Sequence, residues 1–187
     1  MANSSESADR KLRELILYLS ILSEGDEFFG ATKLNKLLFY IDFLAFRSTG
    51  KAVTEQEYQA LPQGPAPRRL LRAMETLKDN HSLVVRLEPI YDYVQKRPMA
   101  LRRADLSCFA PEEIDLINKV VKSLRRMTAT QVSDISHEFL GWHLAEVNET
   151  IPYSVALLSR DELTESELRH AKEIEKRAQA WLDSRAA

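Results

Sequence analysis

The chain has 187 residues, 44% hydrophobic and 29% charged, which is the composition of a globular domain and excludes disordered and collagen-like proteins. Its 26 lysines and arginines against 28 acidic residues give a formal net charge of −2, which argues against a general nucleic-acid-binding surface. The one cysteine, Cys108, cannot form an internal disulfide, and no stretch has the pattern of a secretory signal or a membrane span. We therefore expect a single cytoplasmic domain over 1–187 that makes no membrane contact.

The spacing of apolar residues predicts a mainly α (α+β) fold. Leucine and isoleucine recur at steps of three and four over 12–22, which indicates an amphipathic helix. A helix over 31–48 carries apolar residues on nearly all sides, so we expect it to be central and buried. Proline at a first helical position, or a capping box, predicts further helix starts near Pro67, Pro111, Thr128 and Thr164. The last of them begins a long C-terminal helix over roughly 164–185, beyond a core that spans roughly 12–158.

Residues 83–104 are the only region in which the sequence predicts β structure. The segment 83–87 is rich in β-branched residues, 90–94 alternates, and a third strand is expected around 99–102. These strands would form a small hairpin or a three-stranded sheet inserted in the helical domain. By contrast, 62–67 contains three prolines and a glycine, which predicts a shaped loop ahead of a helix. The apolar stripe of that helix is Leu70, Leu71, Met74 and Leu77.

No residue pattern predicts catalysis or metal binding. His137 and Glu138 begin like the helix of a zinc protease, but Gly141 stands where the second histidine is needed. His143 lies about 240° from His137 around an ideal helix, so the two share a metal only if the helix breaks between them, for instance at Gly141. Cys108 is typical of a small buried residue. We therefore expect a protein that is not an enzyme and that has no cofactor and no metal site.

Basic residues gather in two places, and three interpretations of them are open. The first interpretation is that these residues form ordinary solvated surface, which the net charge favours. The second is that they face DNA phosphates, if the β region is a wing. The third is that they bind an acidic partner protein. One group follows the proline-rich segment and the other lies in the β region: Arg68, Arg69 and Arg72, and Arg86, Lys96, Arg97, Arg102 and Arg103.

Three short motifs occur in one order along the chain. The first is KLNKLLFYID over 33–42, the second is Tyr58 upstream of Gly64-Pro65, and the third is Ser136-His137 followed by Trp142. In this order and spacing they resemble the Panacea domain, also called the SocA-like antitoxin domain, over roughly 12–158. The chain departs from the family pattern in Ala66 after Gly-Pro and in a longer last helix, and we expect no appended DNA-binding domain. The matched motif residues are Lys33, Lys36, Asp42, Tyr58, Gly64, Pro65, His137 and Trp142.

The resemblance implies an antitoxin that neutralises a co-encoded toxin by direct protein contact and needs no cofactor. Members of this family accompany many unrelated toxins and are often found in prophages. The alternative function is a winged-helix-like DNA-binding transcriptional regulator that uses the basic residues of the β region. Salt dependence separates the two, because contacts with several phosphates weaken steeply with salt while a packed protein interface changes little.

For the motif residues we favour a structural role over partner binding. A charge on the buried helix is unfavourable unless it is paired, so we expect Asp42 to be paired internally. The same argument leaves two alternatives for Lys33 and Lys36, internal pairing or a position bordering a groove. The remaining motif residues are expected to form a rigid turn, at Gly64-Pro65, or part of the core, at His137 and Trp142.

The surface that binds the toxin is then expected outside the motifs, because a motif that specifies the fold is shared while the toxin-facing surface varies. Stable complexes cover about 800 Å² per partner and depend on a few aromatic and arginine anchors. The candidate partner-binding residues are Arg68, Arg69, Arg72, Tyr91, Tyr93 and Arg97, together with the outer face of the last helix.

Overall fold

The computed structural model describes residues 2–90 and 93–158, together with five separate residues at 166, 169, 173, 176 and 177. Over these residues the chain forms six helices and five short strands, which confirms the predicted mainly α (α+β) class. The helices are α1 Ala2–Leu22, α2 Ala31–Thr49, α3 Leu70–Asp79, α4 Pro111–Leu124, α5 Ala129–His137 and α6 Leu140–Leu144. The strands are β1 Tyr58–Leu61, β2 Gly64–Pro67, β3 Leu83–Ile90, β4 Tyr93–Ala100 and β5 Thr150–Ile151. Tyr91 lies outside the described residues. Of the predicted helix over 164–185, residues 166, 169, 173, 176 and 177 are described and are helical.

Helix α2 is the centre of the fold, as its apolar pattern predicts. One side packs into a leucine cluster with α1, α3 and α4, and the other packs into an aromatic cluster with β1 and β5. The helix ends where Gly50 adopts a left-handed φ of 74° and donates its N–H to the Phe46 carbonyl. The contributions of α2 to the leucine cluster are Leu34, Leu37, Leu38, Ile41 and Ala45, and those to the aromatic cluster are Phe39 and Phe43.

A three-stranded antiparallel sheet covers the aromatic side of α2. Its order is β2-β1-β5, with Tyr58 opposite Pro67 on one side and opposite Ile151 on the other. The expectation that 62–67 is a loop, and that 83–104 is the only β region, is therefore wrong. Prolines are compatible with this strand because β2 is at the edge of the sheet, where a missing N–H donor breaks no ladder.

Strands β3 and β4 form a separate two-stranded hairpin. Their antiparallel register runs from Leu83 opposite Ala100 to Ile90 opposite Tyr93. The predicted hairpin is confirmed, while the third strand expected around 99–102 is wrong because Met99 and Ala100 end β4. At the base of the hairpin Leu83 joins the leucine cluster, whereas Leu87, Tyr93 and Val94 nearer the tip are exposed.

Helix starts follow local capping chemistry where the sequence supplies it. Pro111 is the first residue of α4, and Glu113 accepts the Ala110 N–H at 2.9 Å. The predicted capping box of α5 is present, since Thr128 and Gln131 exchange hydrogen bonds of 2.8 and 3.2 Å. Helix α3 begins after the predicted position because Pro67 belongs to β2, and α1 begins earlier than predicted, at Ala2.

Within the described residues, no helix combines the length and the apolar character that a membrane span requires.

Candidate functional site

The Asp42 carboxylate is completely buried on α2 and is held by neutral donors. Its Oδ1 accepts the Thr54 N–H at 2.7 Å, and its Oδ2 accepts both the Tyr58 hydroxyl, at 2.8 Å, and the Thr54 hydroxyl. Burial raises the pKa of Asp42 to about 6, because these hydrogen bonds compensate only part of the desolvation of the charge. Asp42 thus fixes the segment after α2, and with it the start of β1, to the central helix.

Lys33 is buried at the start of α2 and pairs internally. Its Nζ lies 2.6 Å from Asp26 Oδ2, in the loop that follows α1, and donates to the Met127 carbonyl at 2.7 Å. Both side chains of the ion pair are almost fully buried, so the contact is short and dry. It connects the α1–α2 loop, α2 and the segment after α4, which is a structural arrangement.

Lys36 and Gly64 are in direct contact. The Lys36 amine is buried and donates to the Gln63 carbonyl at the β1–β2 turn, and burial lowers the pKa of Lys36 to about 8. Gly64 has a φ of 98°, and a Cβ at this position would collide with the Lys36 amine and lie 2.7 Å from the Ser136 hydroxyl. Glycine is therefore needed here both for the backbone conformation and for the close approach of the lysine. Pro65, the next residue, is buried in β2.

His137 and Trp142 stack on each other where α5 meets α6. Their ring centroids are 4.1 Å apart at an interplanar angle of 20°, and the indole N–H donates to the Leu61 carbonyl at 2.9 Å. The break between the two helices falls at Glu138 and Phe139, ahead of Gly141. Over the residues that the structure describes, no three His, Cys, Asp or Glu side chains gather in a way that could hold a metal ion.

The motif residues thus lie around α2 and hold the turns and the small sheet against it. The structure brings Asp42 to Tyr58, Lys36 to Gly64, and His137 to Trp142. Of the two alternatives for Lys33 and Lys36, the structure has internal pairing for both. The polar groups of Asp42, Lys33 and Lys36 all bond within the fold, whereas the His137 Nε2 is buried without a hydrogen-bond partner among the described residues.

Arg97, expected among the exposed anchors, is only 7% exposed. Its guanidinium donates to the Ser23, Glu24 and Asp26 carbonyls at 3.1, 2.6 and 2.8 Å. This side of β4 packs on the loop after α1, so Arg97 attaches the hairpin to the helical body. The expectation of a surface position for Arg97 is corrected accordingly.

The other candidate arginines are exposed but several already have partners. Arg68 donates to the Asn148 carbonyl at 2.6 Å and to the Thr150 hydroxyl at 3.0 Å, which fastens β5. Arg69 forms an ion pair of 2.7 Å with Asp9. Arg72 is exposed on α3, and Tyr93 is 47% exposed at the end of the hairpin.

Acidic neighbours also neutralise much of the basic character of the β region. Arg86 pairs with Glu88, and Arg102 pairs with Glu14 through bonds of 2.7 and 2.9 Å. These bonds hold Arg102 at the base of the hairpin, where its side chain is still 41% exposed. The basic residues therefore do not form one continuous positive face.

Sequence reasoning missed several strongly exposed apolar residues of α3 and the hairpin. Leu71 of α3 is 79% exposed, Leu87 of β3 is 64% exposed and Val94 of β4 is 62% exposed. The sequence assigns Leu71 to the apolar stripe of its helix, yet Leu70 and Leu77 face the core. Since neighbouring residues on a helix point about 100° apart, projection of α3 around its axis already separates Leu71 from that stripe.

The comparisons with known proteins agree with the motifs. The family model "Antitoxin SocA-like, Panacea domain" matches residues 34–143, well over half of the chain. The matched range contains most of α2, the β1–β2 turn, the β3–β4 hairpin and the helices up to α6. Searches among curated proteins and among solved structures each find no significant match. With the motif residues placed around one helix and the family model covering all of them except Lys33, the chain belongs to the SocA-like antitoxin, Panacea domain family.

Proposed function

We propose that this protein is the antitoxin of a toxin–antitoxin pair and neutralises its toxin by direct binding. The observation that carries the proposal is the exposed apolar surface formed by α3 and the β3–β4 hairpin, in a chain of the Panacea family. Leu71, Leu87 and Val94 are large apolar side chains left in water, and exposed apolar side chains that share one surface are typical of a protein–protein interface.

The division between interior and surface supports this function. The motif residues stabilise the fold from within, so the surface is free to differ between family members that meet different toxins. A hairpin of only two strands is marginally stable alone, and its exposed distal half gains stability when a partner covers it. We propose that the protein acts in the cytoplasm as one domain, without a cofactor and without catalysis of its own.

The DNA-binding alternative receives less support from the arrangement of charges. Arg97 is buried and Arg86 and Arg102 are paired with acids, so few cations of the hairpin remain for phosphates. Binding that depends on several phosphate contacts falls by orders of magnitude between low and physiological salt. A toxin complex formed through apolar side chains is expected to persist over the same range.

The test places the adjacent open reading frame, as the toxin, under an unrelated inducible promoter, so that repression of the native promoter cannot rescue growth. Co-expression of the full-length chain is expected to restore growth, and the two purified proteins are expected to elute together at low and at physiological salt. Growth arrest despite a folded antitoxin, with no complex at either salt, would overturn the proposal. Binding of the promoter DNA in place of the toxin would favour the regulator.

A further inference from the structure

An open apolar groove lies between α3 and one face of the β3–β4 hairpin. It has a volume of about 290 Å³, and its apolar lining includes Leu71 and Met74 of α3 and Val85 and Pro98 of the hairpin. This volume is at the lower limit of small-molecule sites, which span roughly 300–1,000 Å³, and the groove is open to solvent. It suits one or two anchoring side chains of a larger partner.

The apolar surface continues from the groove toward the hairpin tip. Val85 is opposite Pro98, Leu87 is opposite Lys96, and side chains two residues apart on a strand share a face. Leu87 therefore extends the groove by one step along the hairpin. Val94 lies two residues beyond Lys96 on the same face and extends the surface by another step.

Unpaired positive charge borders this surface. Lys78 of α3 and Lys96 of β4 line the groove and are exposed, and neither has an ion-pair partner among the residues that the structure describes. Glu75 is the one acid in the described lining. In a chain of net charge −2, this local excess of lysine selects for acidic groups on whatever binds here.

The hairpin edges disfavour an added strand. Pro89 of β3 and Pro98 of β4 lack the N–H that a pairing strand requires, and prolines at strand edges block such pairing. An apolar groove beside a helix, with charged margins, instead matches the mode in which an amphipathic helix inserts side chains spaced by three and four residues.

We propose that this groove, the α3–hairpin groove, binds an amphipathic helix of the toxin whose apolar side chains are flanked by aspartate or glutamate. The inference rests on the proposed antitoxin function and adds the place and the chemistry of the contact. The apolar anchors of the helix enter between Leu71 and Val85, and its acidic residues pair with Lys78 and Lys96.

The test compares variants in the binding of purified toxin. The double variant Leu71→Glu/Leu87→Glu is expected to lose at least about 30-fold in affinity, as for the loss of a central anchor, and the variant Lys96→Glu at least about 10-fold. The matched control is Leu144→Glu, since Leu144 is 70% exposed on α6 and does not line the groove. All the substituted residues are exposed, and circular dichroism verifies that each variant is folded.

A second measurement identifies the occupant. Hydrogen exchange of the complex is expected to protect α3, β3 and β4, and on the toxin a helix with acidic residues beside its apolar face. If the groove variants bind the toxin normally and the wild-type protein rescues growth, the groove is not the toxin-binding site. The proposed antitoxin function is then unaffected. Protection of a strand or a basic segment of the toxin, or a change in self-association of the groove variants without a change in toxin binding, would also overturn it. If wild-type protein neither binds nor rescues, the proposed function itself fails.

Discussion

Asp42 is a residue whose burial dominates its chemistry. The carboxyl has a pKa of about 6 in the folded protein against 3.8 for the ordinary group, so between these values the folded chain holds a proton that the unfolded chain has released. The free energy of unfolding therefore decreases as the pH rises through this interval. Burial also raises the pKa of Tyr58, so its hydroxyl stays neutral and donates to Asp42 over this whole pH interval.

We predict that Asp42→Asn changes the pH dependence of stability in a defined direction. Asparagine does not titrate. Between pH 4.5 and pH 7 the free energy of unfolding of the wild-type protein is therefore expected to fall by about 2 kcal/mol relative to that of the variant. Urea unfolding of both proteins at the two pH values measures the difference, and contributions from all other groups cancel. A difference that is independent of pH would contradict the buried, partly protonated carboxyl.

Gly64 and Gly50 both have a positive φ, of 98° and 74°, but differ in what surrounds them. Gly64→Ala is expected to destabilise the fold by at least about 2 kcal/mol, because a Cβ collides with the Lys36 amine in addition to the cost of a positive φ. Gly50→Ala is the control: its φ is 74°, and a Cβ there meets nothing within 4 Å. Only the backbone cost, about 1 kcal/mol, is expected for it. Equal losses in thermal unfolding would contradict the steric role of Lys36.

At the level of elements, the helices could be predicted and half of the β structure could not. The apolar pattern of α2 and the capping box of α5 are local signals, and both are confirmed. Strands β1 and β2 have no such signal, because each has only four residues and β2 contains two prolines, as a loop would. Asp42 holds the start of β1 and Lys36 holds the β1–β2 turn against α2, and these tertiary contacts have no local sequence signal.

The attachment of the hairpin to the helical body depends on Arg97. Arg97→Ala is expected to destabilise the protein by about 2 kcal/mol or more, since the variant leaves three carbonyls of the α1–α2 loop without this donor. Arg86→Ala, which removes an exposed arginine from the same hairpin, is expected to cost less than about 1 kcal/mol. Thermal unfolding of the two variants makes the comparison, and similar losses would mean that Arg97 does not anchor the hairpin.

The same arginine explains why the exposure of the candidate binding residues was harder to predict than the fold. Sequence gives the charge of Arg97 and the apolar character of Leu71, but their exposure depends on what packs against them. The carbonyls that receive Arg97 come from residues more than 70 positions away, and no pattern near it indicates them. Leu71 faces outward because Leu70, one position earlier, occupies the core-facing stripe.

At the scale of the whole molecule, α2 couples the two sides of the core. Its leucines pack with α1, α3 and α4, while Phe39 and Phe43 pack with the small sheet, and ring centroids 4.6 Å apart join those two aromatics. A helix buried on both sides cannot lose one set of contacts and keep its place in the other. We therefore expect the leucine cluster and the aromatic cluster to unfold together.

Trp142 makes this cooperativity measurable from one side of the core. In a Trp181→Phe background its fluorescence reports the aromatic cluster, because its indole stacks on His137 and bonds to the Leu61 carbonyl. Leu37→Ala, in the leucine cluster, is expected to lower the stability seen by this probe by about 2–5 kcal/mol, the usual cost of truncating a buried leucine. Far-UV circular dichroism, which reports all helices, is expected to give the same urea midpoint, and the exposed Leu144→Ala is the control. A fluorescence midpoint that is unmoved by Leu37→Ala, with a lower midpoint by circular dichroism, would mean that the two sides of α2 unfold independently.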